Sequence, residues 1–259
     1  MMRIAAVGDI HVGGTEGGQV AGSLKGIEEQ ADVLLLAGDL TTYGHPDQAR
    51  ALLSELSEVR LPTIAVLGNH DYQSGMQDEV RSAIEGGGVV VLEQESMEIS
   101  IGGRTIGIVG GKGFGGGFAG ACATEFGEEE MKTFIRLTER LARGIEERLA
   151  ELRSDVRVLL MHYSPVRDTL VGEPPEIFPF LGSYLFAEAA DRAGADLILH
   201  GHAHRGSEYG KTPGGIPVRN VAKPVIRKAY AVFTIDEPEP GSEPPGAGEV
   251  LAGDPVPTG

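Results

Sequence analysis

The sequence predicts a mixed α/β fold in which two β-sheets pack together with helices outside. Three observations carry this. Short, mostly unbroken apolar runs recur along the chain and suit strands covered on both faces. Segments with helical spacing of apolar residues lie between them. One hairpin, turned by Gly102-Gly103, interrupts the strand–helix alternation and excludes a purely parallel sheet.

The first strand is expected over Arg3–Gly8 and the second over Asp32–Ala37. A helix follows over Pro46–Glu58, where Ala49, Leu52, Leu53 and Leu56 fall at i, i+3, i+4 and i+7 and Pro46 suits the first turn. Strands are expected over Thr63–Leu67 and Val89–Leu92, then the hairpin arms Met97–Ile101 and Arg104–Val109. Glu128–Leu152 reads as a long helix with Met131, Ile135, Leu141, Ile145 and Leu149 on an approximate stripe, weakened by Gly144. A strand over Arg157–Met161, a helix over Ser183–Arg192 stopped by Gly194, and strands over Asp196–Leu199 and Ala229–Ile235 complete the series. Three stretches resist assignment: Gly13–Gly22, the glycine-rich Gly110–Gly120, and the proline-containing Val171–Gly182. Long loops of this kind often border a functional cleft. The tail Glu237–Gly259 is Pro, Gly and acid with almost nothing to bury. It is expected to be disordered, leaving residues 1–236 as the folded domain.

Composition narrows the function. The chain has 259 residues, no Trp and 39 Gly, so its core must come from Val, Ile, Leu and Ala. Its net charge is −16, from 38 acidic and 22 basic residues. An acidic surface repels polyphosphate backbones and speaks against nonspecific nucleic-acid binding. A bound metal pair would still make one cleft locally positive for a small anion. Cys122 is the only cysteine, so no internal disulfide forms, which fits a reducing compartment. No apolar run approaches the length of a membrane span, and the first residues enter a strand directly. The expectation is a soluble cytoplasmic protein with no membrane partner.

The apolar runs end in five polar clusters: Asp9-Ile10-His11, Gly38-Asp39, Gly68-Asn69-His70-Asp71, Met161-His162 and Gly201-His202-Ala203-His204. Together they offer two carboxylates, one amide oxygen and four imidazoles as metal ligands, with His70 to spare. In an extended chain Asp9 and His11, at i and i+2, leave on one face and can reach one ion; His202 and His204 do the same. Asp39 ends a wholly apolar approach, a costly place for a carboxylate unless it meets a cation. Each signal is modest alone; order, strand-end placement and ligand chemistry agree. Two divalent metals side by side are a device for attacking phosphate esters.

The series D-x-H, G-D, G-N-H-D, H, G-H-x-H resembles the calcineurin-like dinuclear metallophosphoesterase superfamily over roughly Met1 to Asp236. The resemblance implies a four-layer sandwich of two mixed sheets flanked by helices, with metals at the strand ends. It implies that one metal takes Asp9, His11 and His204, the other Asn69, His162 and His202, and that Asp39 bridges them. His70 is then not a ligand but faces the leaving oxygen of the substrate, beside Asn69. Two metals about 3.5–4 Å apart neutralise phosphoryl oxygens and activate a bridging water as hydroxide. Mixed N and O ligands suit Mn, Fe, Zn or Co without choosing among them. An imidazole at His70 is suited to supply a proton near neutral pH.

The chain departs from the protein-phosphatase branch, whose second motif is G-D-x-x-D-R-G. Here it reads Gly38-Asp39-Leu40-Thr41-Thr42-Tyr43-Gly44, and Asp71 stands where that branch has Glu. Thr42 hydroxyl and Asp71 become the candidates to orient His70. His200 reads as a packing or supporting histidine, and His45, before Pro46, as an exposed helix start. Phe178 and Phe180 could wall the cleft or belong to the core, and Lys112 offers charge beside the glycine-rich loop. The expected activity is hydrolysis of a small phosphodiester or phosphomonoester, a nucleotide among the options. The alternatives are a nuclease of the same superfamily or a silent metal-binding scaffold.

Overall fold

The computed structural model describes residues 1–13 and 21–235. Most of the Gly13–Gly22 loop and the whole tail Glu237–Gly259 lie outside the described residues. The unbroken apolar runs become strands with different neighbours on each face. In β1 (Met2–Val7) and β2 (Val33–Ala37), Ala5, Val7, Leu34 and Leu36 face one core, while Ile4, Ala6, Val33, Leu35 and Ala37 face another. In β3 (Thr63–Val66), Ala65 joins the first set and Ile64 and Val66 the second. Side chains alternate every residue, and both faces are covered, so no position is left for a polar group.

These strands pair in parallel with one another and with β4 (Val90–Val91). The last strand, β13 (Ala231–Ile235), adds antiparallel along β1, giving the order β13-β1-β2-β3-β4. The second sheet holds β5 (Glu95–Ile101), β6 (Arg104–Gly111), β9 (Val156–Met161), β10 (Leu197–His200), β11 (Tyr209–Lys211) and β12 (Pro217–Asn220). Its order is β11-β12-β10-β9-β6-β5, with antiparallel edges around a parallel centre. A small hairpin joins β7 (Gly117–Phe118) to β8 (Ala121–Cys122).

The helices are α1 (Ala21–Leu24), α2 (Pro46–Glu55), α3 (Gln77–Glu85), α4 (Glu129–Glu151), α5 (Phe178–Leu181), α6 (Tyr184–Ala193) and α7 (Lys223–Ile226). From α2 and α3, Ala49, Leu52, Val80 and Ile84 cover the outer face of the first sheet. From α4 and α6, Ile145, Leu149, Phe186 and Ala190 pack on Val109, Leu159 and Ile198 of the second. Between the sheets, Ile4, Leu35 and Val66 meet Ile108, Val158, Leu160 and Leu199. Each such buried Leu, Ile or Val contributes roughly 1.5–3 kcal/mol. The result is the expected four-layer arrangement, two mixed sheets between helices.

The hairpin turns at Gly102 and Gly103, with φ of 59° and 84°, the positive values its two-residue loop requires. Several elements lie beyond the sequence reading, α3, β11 and β12 among them. Helix α3 spans nine residues and buries Val80 and Ile84. Strand β11 is a three-residue edge piece, and β12, the four residues Pro217–Asn220 beside it, mixes Val218 with Arg219 and Asn220. The two unassigned stretches within the described residues are partly structured. Gly110 and Gly111 end β6, Gly117 starts the small hairpin, and Pro175–Leu181 forms a 3₁₀ turn running into α5. Among the described residues no helix is long and apolar enough to cross a membrane.

All five polar clusters follow the C-terminal ends of parallel strands, namely β1, β2, β3, β9 and β10. The two sheets face each other, so these ends share one rim, the usual place for a site in such sheets.

Candidate metal centre

At that rim the backbone leaves the strands through left-handed turns. Asp9, His11, Asp39 and His202 have φ of 57°, 51°, 50° and 69°. The extended geometry expected for D-x-H and H-x-H is therefore corrected: the side chains converge because the chain coils, not because a strand alternates. A non-glycine residue held in this region costs on the order of 1–3 kcal/mol and collects at functional sites. Glycines permit the approach. Gly38 has φ 81°, and a Cβ there would meet the His162 ring; a Cβ on Gly68 would overlap the carboxylate and backbone nitrogen of Asp39.

The side chains gather into two overlapping groups whose ligand atoms lie within 4.8 Å of one another. Asp9, His11, Asp39 and His204 form one; Asp39, His162 and His202 form the other. Asp39 belongs to both. His204 Nε2 lies 2.7 Å from Asp9 Oδ1, and His11 Nε2 is 3.7 Å from Asp39 Oδ2. His162 Nε2 lies 3.3 Å from Asp39 Oδ1 and 2.9 Å from Asn69 Oδ1, which brings the amide into the second group. The His202 backbone N–H donates to both Asp9 oxygens, at 3.1 and 3.0 Å.

Supporting contacts orient these groups. His162 Nδ1 lies 2.9 Å from the carbonyl of Ala37, so Nδ1 carries the proton and Nε2 faces the site. The His70 backbone N–H donates to Asp39 Oδ1 at 2.8 Å. His70 Nδ1 meets the Thr42 carbonyl oxygen at 2.8 Å, and its Nε2 stands 3.9 Å from Asp39 Oδ2. The two orienting candidates are thereby corrected: Thr42 acts through its carbonyl, not its hydroxyl, and Asp71 does not touch the His70 ring. The Thr42 hydroxyl instead donates to the His11 carbonyl at 2.8 Å. Asp71 is buried and accepts from Leu40 N–H, Thr41 N–H, Thr41 Oγ1–H and Gly68 N–H, clamping the second and third loops together.

Charge is concentrated here. Burial pushes the Asp39 carboxyl up, but the imidazoles of His162 and His70 outweigh it and hold it well below the usual range. Burial pulls His162 down, yet Asp39 overcomes that and raises it to about 9. Half-buried His202, desolvated beside His162, falls to about 3. His11 is lowered by burial, and His204 is raised by its hydrogen bond to Asp9.

The residues fit a cation. His11 Nε2 is buried and is the one side-chain nitrogen or oxygen, among buried atoms of the described residues, without a hydrogen-bond partner. Leaving such an atom unpaired costs about 1–3 kcal/mol. It points into the group that Asp9, Asp39 and His204 complete, and this mixed N and O set suits first-row divalent metals.

The remaining sequence-selected residues separate clearly. His200 is buried and packs by hydrogen bonds, at 2.8 Å each, with Gly201 O and Thr169 Oγ1. His45 is exposed at the start of α2, with no side-chain cap. Phe178 joins a core cluster with Leu170, Leu181 and Ala203. Phe180 is 63% exposed, and its carbonyl lies 3.3 Å from His202 Nε2, at the mouth of the site. Two residues escaped sequence reading. Tyr163 sets its ring 4.3 Å from that of His202. Buried Asn220 ties Ala203 O and Ala222 N together at 2.8 and 3.0 Å, bracing the last ligand loop. The adjacency of Tyr163 to His162 was a usable signal; nothing marked Asn220.

A family model described as calcineurin-like phosphoesterase matches residues 2–206. Among solved structures, phosphopantetheinyl hydrolase from Mycobacterium tuberculosis is 20% identical, with a TM-score of 0.67, covering 93% of this chain and 98% of that chain. A purple acid phosphatase, PPD1 from yellow lupin seeds, is 14% identical, with a TM-score of 0.50, covering 78% of this chain and 38% of that chain. At these identities the likeness is one of fold. No curated protein sequence matches the chain.

Proposed function

The chain belongs to the calcineurin-like phosphoesterase family, and from that premise we propose that it is a metal-dependent hydrolase of a small phosphate monoester or diester. The observation that carries the reading is the sharing of Asp39 between two ligand groups, with His70 Nε2 3.9 Å from the same carboxylate. Asp9, His11 and His204 would hold one cation, Asn69, His162 and His202 the other, and Asp39 both. When bound, such a pair supplies positive charge for phosphoryl oxygens and makes a water nucleophilic at neutral pH.

The chain's own residues do the rest. Asp71 fixes the loops carrying Asp39 and Asn69, so the ligands are held before substrate arrives. The Thr42 carbonyl keeps the proton of His70 on Nδ1 and turns Nε2 toward the cleft. Protonated at Nε2 as well, His70 can hand that proton to the departing oxygen. The Ala37 carbonyl does the equivalent for His162, keeping its Nε2 on the ligand side.

The test is reconstitution with Mn, Fe, Zn or Co, then assay of an aryl phosphate monoester beside a diester. A phosphopantetheinyl ester joins the panel because the fold neighbour is a phosphopantetheinyl hydrolase. Turnover of at least one ester, abolished by chelation, is expected. Two metals bound without turnover of any ester would leave a scaffold as the better reading.

A further inference from the structure

One cation stands beside the ligands with nothing to do in the chemistry described so far. Lys112 follows β6, and its backbone carbonyl accepts from His162 N–H at 3.1 Å and Tyr163 N–H at 3.0 Å. The residue is thus fastened to the end of β9, where His162 sits. Its ammonium lies over three rings, 4.6 Å from the centroid of Tyr72, 4.9 Å from Phe114 and 5.6 Å from Tyr163. Tyr72 belongs to the turn that begins at His70, and the Tyr163 ring lies tilted against that of His202. Two of these rings thus link the ammonium to the His70 turn and to His202, and the charge of Asp39 reaches it.

Aromatic faces attract an ammonium but offer no hydrogen-bond acceptor. Among the described residues Lys112 Nζ has neither a hydrogen bond nor an ion pair. The carboxylates whose charge reaches it are Glu93 and Asp39. Glu93 is committed elsewhere, accepting from Leu67 N–H at 3.2 Å and the Tyr72 hydroxyl at 3.1 Å. Asp39 is committed to His70, His162 and the ligand groups. The half-buried ammonium is within reach of solvent but meets no protein acceptor, so its donors are free for an incoming anion. The acceptor that the neighbouring ligands would bring is an anionic phosphoryl group.

Resting on the phosphoesterase reading, we propose that Lys112 binds a non-bridging oxygen of the phosphoryl group being cleaved. Tyr72, Phe114 and Tyr163 fix the direction of its stem, and Glu93 holds Tyr72 in place from behind. A fixed cation there neutralises charge that the substrate carries into the cleft and orients the phosphorus, so it acts chiefly on binding.

The test is calorimetric titration of the Mn-loaded full chain with inorganic phosphate, for the wild type, Lys112→Met and Lys112→Arg. Methionine keeps the apolar stem against the rings; arginine keeps the charge. Phosphate binding is expected to weaken about ten-fold or more in Lys112→Met, the loss of one charge-assisted hydrogen bond, and to recover largely in Lys112→Arg. Metal content and thermal midpoint should match the wild type. With an aryl phosphate, KM should rise by a similar factor while kcat changes less. Should Lys112→Met fail to fold, Lys112→Gln carries the same comparison. Phosphate affinity within two-fold of the wild type in the uncharged variant overturns the proposal, as does arginine no better than methionine, or no phosphate binding by the wild type. Because binding is read without turnover, the two readings separate. A wild type that binds phosphate through Lys112 yet hydrolyses nothing loses the hydrolase; one that hydrolyses esters with Lys112 indifferent loses only this role.

Discussion

The carboxylate of Asp71 accepts both the backbone N–H and the hydroxyl of Thr41, at 2.8 and 2.6 Å, with no water-exposed surface on Asp71. The same carboxylate also receives Leu40 and Gly68 N–H groups, so one side chain serves two loops from different strands. Burial and the charge of Asp39 push its pKa up, and the donors from Gly68 and Thr41 oppose this. Asp71→Ala strands those donors without solvent. The expected loss is on the order of 3 kcal/mol in urea unfolding of the metal-free protein. An unchanged midpoint would show that the loops hold themselves.

Asp39 is the shared member of both ligand groups, and His11 belongs to one. Metal analysis after dialysis should therefore find both sites empty in Asp39→Ala but one still filled in His11→Ala. Equal losses in the two variants would contradict the partition.

His70 touches Asp39 through its backbone but offers its ring to the cleft, where 37% of the side chain is exposed. His70→Ala should retain both metals and slow hydrolysis by about 10²–10⁴-fold for esters with poor leaving groups, and least for nitrophenyl esters. A drop in metal content instead would make His70 a ligand.

A methyl group on Gly68 would collide with the carboxylate and backbone nitrogen of Asp39. Gly68→Ala should lower metal affinity along with stability. Gly75→Ala, with φ 74° and open space around it, should lower stability alone. Isothermal metal titration of the two variants makes the comparison.

The metal-free protein should be most stable near pH 6.5. His162, pulled down by burial but raised further by Asp39 to about 9, adds stability that is fully present below 6.5 and lost as pH climbs through 9. Burial lowers His202 to about 3 and His200 to about 4, so their contribution is present above 6.5 and lost as pH falls toward those values. Metal ligation should abolish the alkaline loss, because His162 then needs no proton to face Asp39. Thermal midpoints from pH 4 to 9.5, with and without chelator, test both limbs.

What was legible in the sequence follows from what each strand buries. A strand covered on both faces leaves an apolar run, and a carboxylate or imidazole at its end stands out sharply, as Asp39 and His162 do. The left-handed turns at Asp9, His11 and His202 carry no such mark, because Asp and His enter that region with no distinctive partner residue. Lys112 was visible as a charge, but its three aromatic neighbours come from positions 72, 114 and 163, and no local pattern joins them. Strands β11 and β12, three and four residues long, are too short to leave a period.

Asp9, His11, Asp39 and Asn69 hang from one sheet; His162, His202 and His204 hang from the other. Each ligand group draws on both. A cation seated in either is therefore a rivet through two layers, added to the few hydrogen bonds that cross there, such as Gly8 N–H to Val221 O and His162 Nδ1 to Ala37 O. Filling or emptying these groups should therefore change how firmly the two sheets are held together at this rim.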